Sequence, residues 1–304
     1  MKDPIDTMLS EIVTAYQKLP GCRAMALIGS RARGTSKSFS DVDLMMVYFS
    51  PATGHDRKVV IESLQDKGSR SETLEYPMMM DVFQRGGLPV KVWHVSQDMI
   101  CERVATIEKR LRLISPMLIA SLFESKIFLD PRNQLQIWKS RIQPVPDGYK
   151  QTIIPQIFAE VVNVIEDLNS ELDSQNHFYI QHELLGALEN IYELIFLVNG
   201  QYLNLSHRID SLISGFSLLP KGFMKSSEEL LSAPCTRQGL RQKWRILSEL
   251  AKISGEFLRS KGFTLVTPSL LRLNAAAPFL FKKSVASETE KFKSSKSAGS
   301  KTKS

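Results

Sequence analysis

Between residues 26 and 44 an apolar run, Ala26-Leu27-Ile28, enters Gly29-Ser30, crosses a polar stretch, and resumes as Ser40-Asp41-Val42-Asp43-Leu44. Two apolar strands on either side of a polar, glycine-opened bend limit the local fold to strand, turn segment, strand. The same residues constrain the chemistry. Glycine has no Cβ, so backbone N–H groups at Gly29 can approach an anion closely, and the Ser30 hydroxyl adds a donor. Asp41 and Asp43 stand two apart, so on a strand both carboxylates leave one face while Val42 enters the opposite core. Two hard oxygen ligands on one face suit Mg²⁺.

The flanking sequence extends this into an α/β layer. Met8, Leu9, Ile12, Val13, Tyr16 and Leu19 recur at three- and four-residue intervals and predict an amphipathic helix over 6–19, ended by Pro20-Gly21. Residues 24–28 and 41–48 read as strands and 55–68 as a helix. Residues 78–83 and 88–95 flank Gly86-Gly87 and read as a hairpin. Beyond Ser96 the period turns helical, with candidates at 97–127, 150–172, 178–198, 207–216 and 237–260, and an irregular connection near 130–147 carrying one helix around Trp138. Met78, Met79 and Met80, with Trp93, Trp138 and Trp244, read as core. The expected organisation is α+β: a mixed-sheet domain over 1–96, an all-helical domain over 97–281, and a disordered Ser/Lys tail over 282–304.

Charge narrows the partners. The net charge is +7, but the segment 282–304 holds seven Lys against Glu288 and Glu290, which leaves the body at +2. A polynucleotide groove on the body is therefore not expected, whereas the tail can touch nucleic acid nonspecifically. The three cysteines, Cys22, Cys101 and Cys235, form no CxxC or Cys/His cluster, which argues against disulfides and zinc and fits a reducing cytoplasm. The N-terminus has no export signal, and the most apolar run, 191–198, is broken by Glu193, so no membrane association is expected.

Gly29-Ser30-Arg31-Ala32-Arg33-Gly34 followed by Ser40-Asp41-Val42-Asp43-Leu44 resembles the small-substrate branch of the polymerase-β-like nucleotidyltransferase superfamily, whose signature is GSxARG and then SDxDL. The resemblance implies that Gly29 and Ser30 hold the β- and γ-phosphates of a nucleoside triphosphate, ATP in most related members, and that Asp41 and Asp43 hold Mg²⁺ bridging it. An acceptor hydroxyl on a small molecule or a protein then receives the nucleoside monophosphate. Arg31 and Arg33 are further candidates for phosphate, with solvated turn arginines as the alternative.

Active members of that superfamily add a third carboxylate on a neighbouring strand; here Lys91 stands at that position, which opens a second reading as a catalytically weakened nucleotide-binding or regulatory module. Asp81 could serve as a metal ligand instead, depending on hairpin register. A three-residue connection pairs Asp81 with Lys91, and a two-residue Gly-Gly turn pairs Lys91 with Val82. His94 lies three residues beyond Lys91 and faces away.

In the helical half, residues 189–213 resemble the C-terminal region of members of this branch, with Asn199, Tyr202 and His207-Arg208 in corresponding places. The layout is similar to that of aminoglycoside-modifying members, in which a helical-domain glutamate acts as base; Glu183, Glu189 and Glu193 are the candidates, with Glu189 assigned a catalytic role. A homodimer is an open alternative to a monomer.

Overall fold

A computed structural model describes residues 4–49, 52–74, 79–173, 176–204 and 209–265. Helix α1 (Pro4–Tyr16) leads into strand β1 (Cys22–Ile28), a short helix α2 (Gly29–Arg33), β2 (Val42–Tyr48), α3 (Gly54–Leu64), β3 (Glu72–Leu74), β4 (Met79–Arg85) and β5 (Leu88–Ser96). The remaining elements are α4 (Gln97–Glu108), α5 (Met117–Glu124), β6 (Lys126–Leu129), α6 (Gln134–Ile142), α7 (Asp147–Glu171), α8 (His177–Val198), α9 (Ile209–Ser214), α10 (Phe223–Ser232) and α11 (Arg237–Ser260). The fold is α+β, a mixed sheet followed by helices. Residues Met1–Leu265 form one compact unit. Among the described residues no helix is long and apolar enough to cross a membrane.

The sheet runs β3-β4-β5-β2-β1-β6, with β2 and β5 parallel and the other pairs antiparallel. Its central strands are buried on both faces, and their period of two sorts side chains between two cores. Val42, Leu44, Met46, Val90 and Val92 pack under α1 and α3 against Leu9, Ile12, Tyr16 and Ile61. Met45, Val47 and Val95 face the helices that follow, with Ile100, Ile119, Trp138 and Ile153. A further apolar cluster joins α7, α8, α10 and α11 through Leu168, Ile191, Phe196, Phe223 and Leu247.

Local chemistry sets several boundaries. Thr53 and Asp56 form a reciprocal capping box that starts α3, and Ser96 caps α4 by accepting from the Met99 N–H. The helix expected over 97–127 is interrupted: α4 stops at Glu108, Arg110 adopts φ 55°, and α5 restarts after Pro116. The chain then returns to the sheet as β6 beside β1, so one short strand beyond residue 96 belongs to the sheet, against the expected boundary at 96 and an all-helical remainder. Met78, His207, Arg208, the boundary at 281 and the tail over 282–304 lie outside the described residues.

Candidate active site

In the β1–β2 register Ile28 stands opposite Asp43, so the chain leaves β1 at Gly29 directly beside that carboxylate. Gly29 has φ +70°, and a Cβ built there would lie 2.6 Å from Asp43 Oδ2. Both the backbone angle and the space demand glycine. Helix α2 is ended by Gly34 in the left-handed region. The Arg31 guanidinium donates to the Ser40 carbonyl (2.6 Å) and to the Asp41 carbonyl (3.1 Å), tying α2 to the segment that carries the first acid. Ser40 Oγ accepts from the Lys37 N–H at 2.8 Å.

The parallel pairing of β2 with β5 sets Lys91 beside Asp43. Lys91 Nζ donates to Asp41 Oδ2 at 2.6 Å, with both side chains 36% exposed. The hydrogen bond to Asp41 holds the Lys91 ammonium above its usual range, with burial opposing. Burial pushes the Asp43 carboxyl up; Lys91 pulls it back and the negative Asp41 raises it further. Gly29, Ser30, Asp41, Asp43 and Lys91 line one cleft of about 490 Å³, whose other walls are Ile28, Arg33, Phe39, Ser40, Trp93, Met117, Ser121 and Asn204.

Arg33 Nη1 pairs with Glu124 Oε2 at 2.6 Å, and the same oxygen accepts from Asn204 Nδ2 at 3.2 Å. Arg33 thus lines the cleft while braced by α5, and Arg31 is a loop anchor instead of a solvated arginine. The hairpin uses the two-residue turn: Val82 pairs with Lys91 and Asp81 with Val92, so Asp81 points to the opposite face. There it is fully buried, accepting from Tyr16 Oη (2.9 Å), 2.7 Å from His94 Nε2 and 3.5 Å from Arg57 Nη1. The expected metal role of Asp81 is corrected by register alone, and His94 faces away from the cleft as its spacing implied.

Glu189 is exposed on α8 and does not line the cleft, which separates the expected base from the carboxylate pair. Glu193 is buried and paired with Arg112 at 2.7 Å; burial raises its carboxyl while Arg112 opposes the rise. Asn199 caps α8, donating to the Ile195 and Leu218 carbonyls, and Tyr202 donates to the Ile142 carbonyl, so both have packing roles.

Phe39, Trp93 and Asn204 of the cleft, and Glu124 that braces Arg33, escape a reading of the motif. Phe39, 69% exposed, is an aromatic in an otherwise polar loop, and that isolation is a readable signal. Trp93, expected in the core, is half-buried and lines the cleft because it shares the face of Lys91. Glu124 and Asn204 come from distant segments and carry no local signal.

The donor set suits a single magnesium ion. Among the described residues no three His, Cys, Asp or Glu gather into a metal group, but Mg²⁺ binds through one or two carboxylates plus phosphate oxygens and retained water. Asp41 and Asp43 would hold it, next to the Gly29 cradle that a Cβ would fill.

No protein-family model matches the chain, and no curated protein matches it. Solved structures give loose likenesses of shape. A nucleotidyltransferase-like protein from Exiguobacterium sibiricum is similar over 84% of this chain and 78% of its own, at 14% identity and a TM-score of 0.43. A spectinomycin adenyltransferase from Enterococcus faecialis, solved with ATP and spectinomycin, is similar over 82% of this chain and 98% of its own, at 11% identity and a TM-score of 0.33. The CdnC component of an E. coli complex with HORMA-deltaN is similar over 81% of this chain and 88% of its own, at 11% identity and a TM-score of 0.24.

Proposed function

We propose that this chain is a cytoplasmic nucleotidyltransferase that binds a magnesium-bound nucleoside triphosphate, ATP in the first instance, and transfers its nucleoside monophosphate to a hydroxyl of a small molecule or protein. One observation carries the proposal: Asp41 and Asp43 converge on the cleft that Gly29 and Ser30 open, with Gly29 so close to Asp43 that no side chain fits between them. Backbone that can approach an anion and a pair of acids that can hold its counter-ion are the two requirements of a polyphosphate site.

Bound there, magnesium would neutralise charge on the α-phosphate and on departing pyrophosphate. Gly29 and Ser30 would hold the phosphate tail, and Asp41 and Asp43 would hold the ion that lets the α-phosphate face the acceptor in line. The acceptor oxygen forms a bond to the α-phosphorus, the bond from that phosphorus to the bridging oxygen breaks, pyrophosphate leaves, and the hydroxyl proton is released. Lys91, partly exposed beside Asp41, is placed to neutralise phosphate once it leaves that carboxylate. Isothermal titration tests the binding half: MgATP binds the wild type saturably, and Asp41→Asn with Asp43→Asn removes binding. Heat of binding equal in the wild type and the double variant would count against the site.

A second reading is favoured by the Lys91–Asp41 pair itself. An ammonium 2.6 Å from one of the two acids lowers the negative charge available to a divalent ion. Under that reading the chain binds the nucleotide as a regulatory module and does not turn it over. Pyrophosphate release on screening hydroxylated small molecules and protein lysate separates the two: release supports the enzyme, and saturable binding without release supports the module.

A further inference from the structure

A second cavity, of about 340 Å³, adjoins the cleft and shares Ile28, Trp93, Met117 and Ser121 with it. Its character is different. Where the first is walled by Gly29, Ser30, two acids and a lysine, the second is walled by Met45, Trp93, Met99, Met117 and Leu118, with Arg103 of α4 among its lining residues. Methionine side chains are flexible and polarisable and adapt to ligands of varied shape. Met99 is 47% exposed, so apolar surface at this cavity stands open to solvent.

Arg103 is partly exposed, and its side chain has no ion pair or hydrogen bond among the described residues. The indole N–H of Trp93 is buried and also has no acceptor among them. An apolar cavity edged by an unpaired cation and an unused donor is complementary to an occupant with an apolar body and an anionic, oxygen-bearing end.

From this we infer that the second cavity binds the acceptor substrate, and that the acceptor is a small molecule that carries, besides its reacting hydroxyl, an apolar body and a carboxylate or similar anionic group held by Arg103. Its assignment as the acceptor side rests on the nucleotide reading of the neighbouring cleft; its charge and apolar preference rest on the cavity alone. A cationic, highly hydroxylated acceptor is disfavoured by the same wall, because it would bring a second cation to Arg103 and bury hydroxyls against methionine.

The test uses the full chain labelled with ¹³C at methionine methyls and three probes that share one tail: 4-phenylbutyrate, 4-phenylbutan-1-ol and 4-phenylbutylamine. The expected result is a saturable shift of the Met45, Met99 and Met117 methyl signals, with the acid binding about tenfold or more tightly than the alcohol or the amine. Arg103→Gln removes the preference for the acid, and Arg103→Lys restores part of it. No shift at these methyls, or equal affinity for acid and amine, overturns the cavity's assignment. With MgATP added, the acid and the nucleotide bind together; mutual exclusion overturns the acceptor role. Binding of 4-phenylbutyrate by a chain that fails to bind MgATP overturns the nucleotide reading and leaves the chemistry of the cavity standing.

Discussion

Gly29 is where backbone conformation and space make the same demand, and it yields the sharpest residue-scale prediction. Alanine there must adopt φ near +70° and set a Cβ 2.6 Å from Asp43 Oδ2. Gly29→Ala is expected to lose about 1–3 kcal/mol in denaturant unfolding and to weaken MgATP binding at least about tenfold, because the displaced group is the carboxylate itself. Asp43 gives a prediction of opposite sign. Its carboxyl is raised by burial, so the folded protein holds that proton more tightly than the unfolded chain does. Stability therefore falls as pH rises from the ordinary carboxylate pKa through the folded one. Asp43→Asn keeps the shape without the charge: calorimetry should show it melting above the wild type at pH 7, the gap closing below about pH 4, while MgATP binding is lost. A lower melting temperature at pH 7 would contradict the electrostatic account of this residue. Both residues stand out in the sequence, since Gly-Ser after an apolar run and two aspartates at strand spacing announce themselves. The Arg31 anchor does not, because its partners are backbone carbonyls that no residue type betrays.

Among the elements, those with a long period were legible and those without one were not. The spacing of Met8, Leu9, Ile12 and Tyr16 marks α1, and the alternation of β2 and β5 marks two central strands. Helix α2, with five residues, offers no period, and β6, with four, follows a helix from which sequence alone does not part it. Hairpin register was left open by Arg85-Gly86-Gly87; the Asp66 carboxylate decides it, accepting from the Gly86 and Gly87 N–H groups at 3.0 and 2.9 Å. That register sends Asp81 to the α1–α3 face, into a buried group with Arg57, Tyr16 and His94. Arg57→Met leaves the Asp81 charge buried without its guanidinium and should cost about 3–5 kcal/mol in denaturant unfolding. MgATP affinity of the folded variant should stay within about twofold of wild type, because the network and the cleft occupy opposite faces of the sheet. A loss of affinity matching that of Asp41→Asn would return Asp81 to the site.

At the scale of the molecule, the cleft draws its walls from β1, α2, β2 and β5, from the loop bearing Phe39, from α5, and from Asn204 beyond α8. A nucleotide seated there holds segments distant in sequence, and at a hundredfold excess over its Kd it would stabilise the chain by about 2.7 kcal/mol. Charge is distributed unevenly, with +5 of the net +7 carried by residues 282–304. Removing those residues should leave MgATP affinity unchanged and abolish salt-sensitive RNA binding in filter or anisotropy assays; RNA binding that persists in the shortened chain would assign it to the body. The central claim concerns where phosphate sits, and a crystal structure with magnesium and a nonhydrolysable ATP analogue tests it most directly. The account predicts density for the phosphate tail against Gly29 and Ser30 and a metal ion ligated by Asp41 and Asp43. An analogue bound elsewhere, with Asp41 still paired to Lys91 and no metal between the two acids, would contradict it.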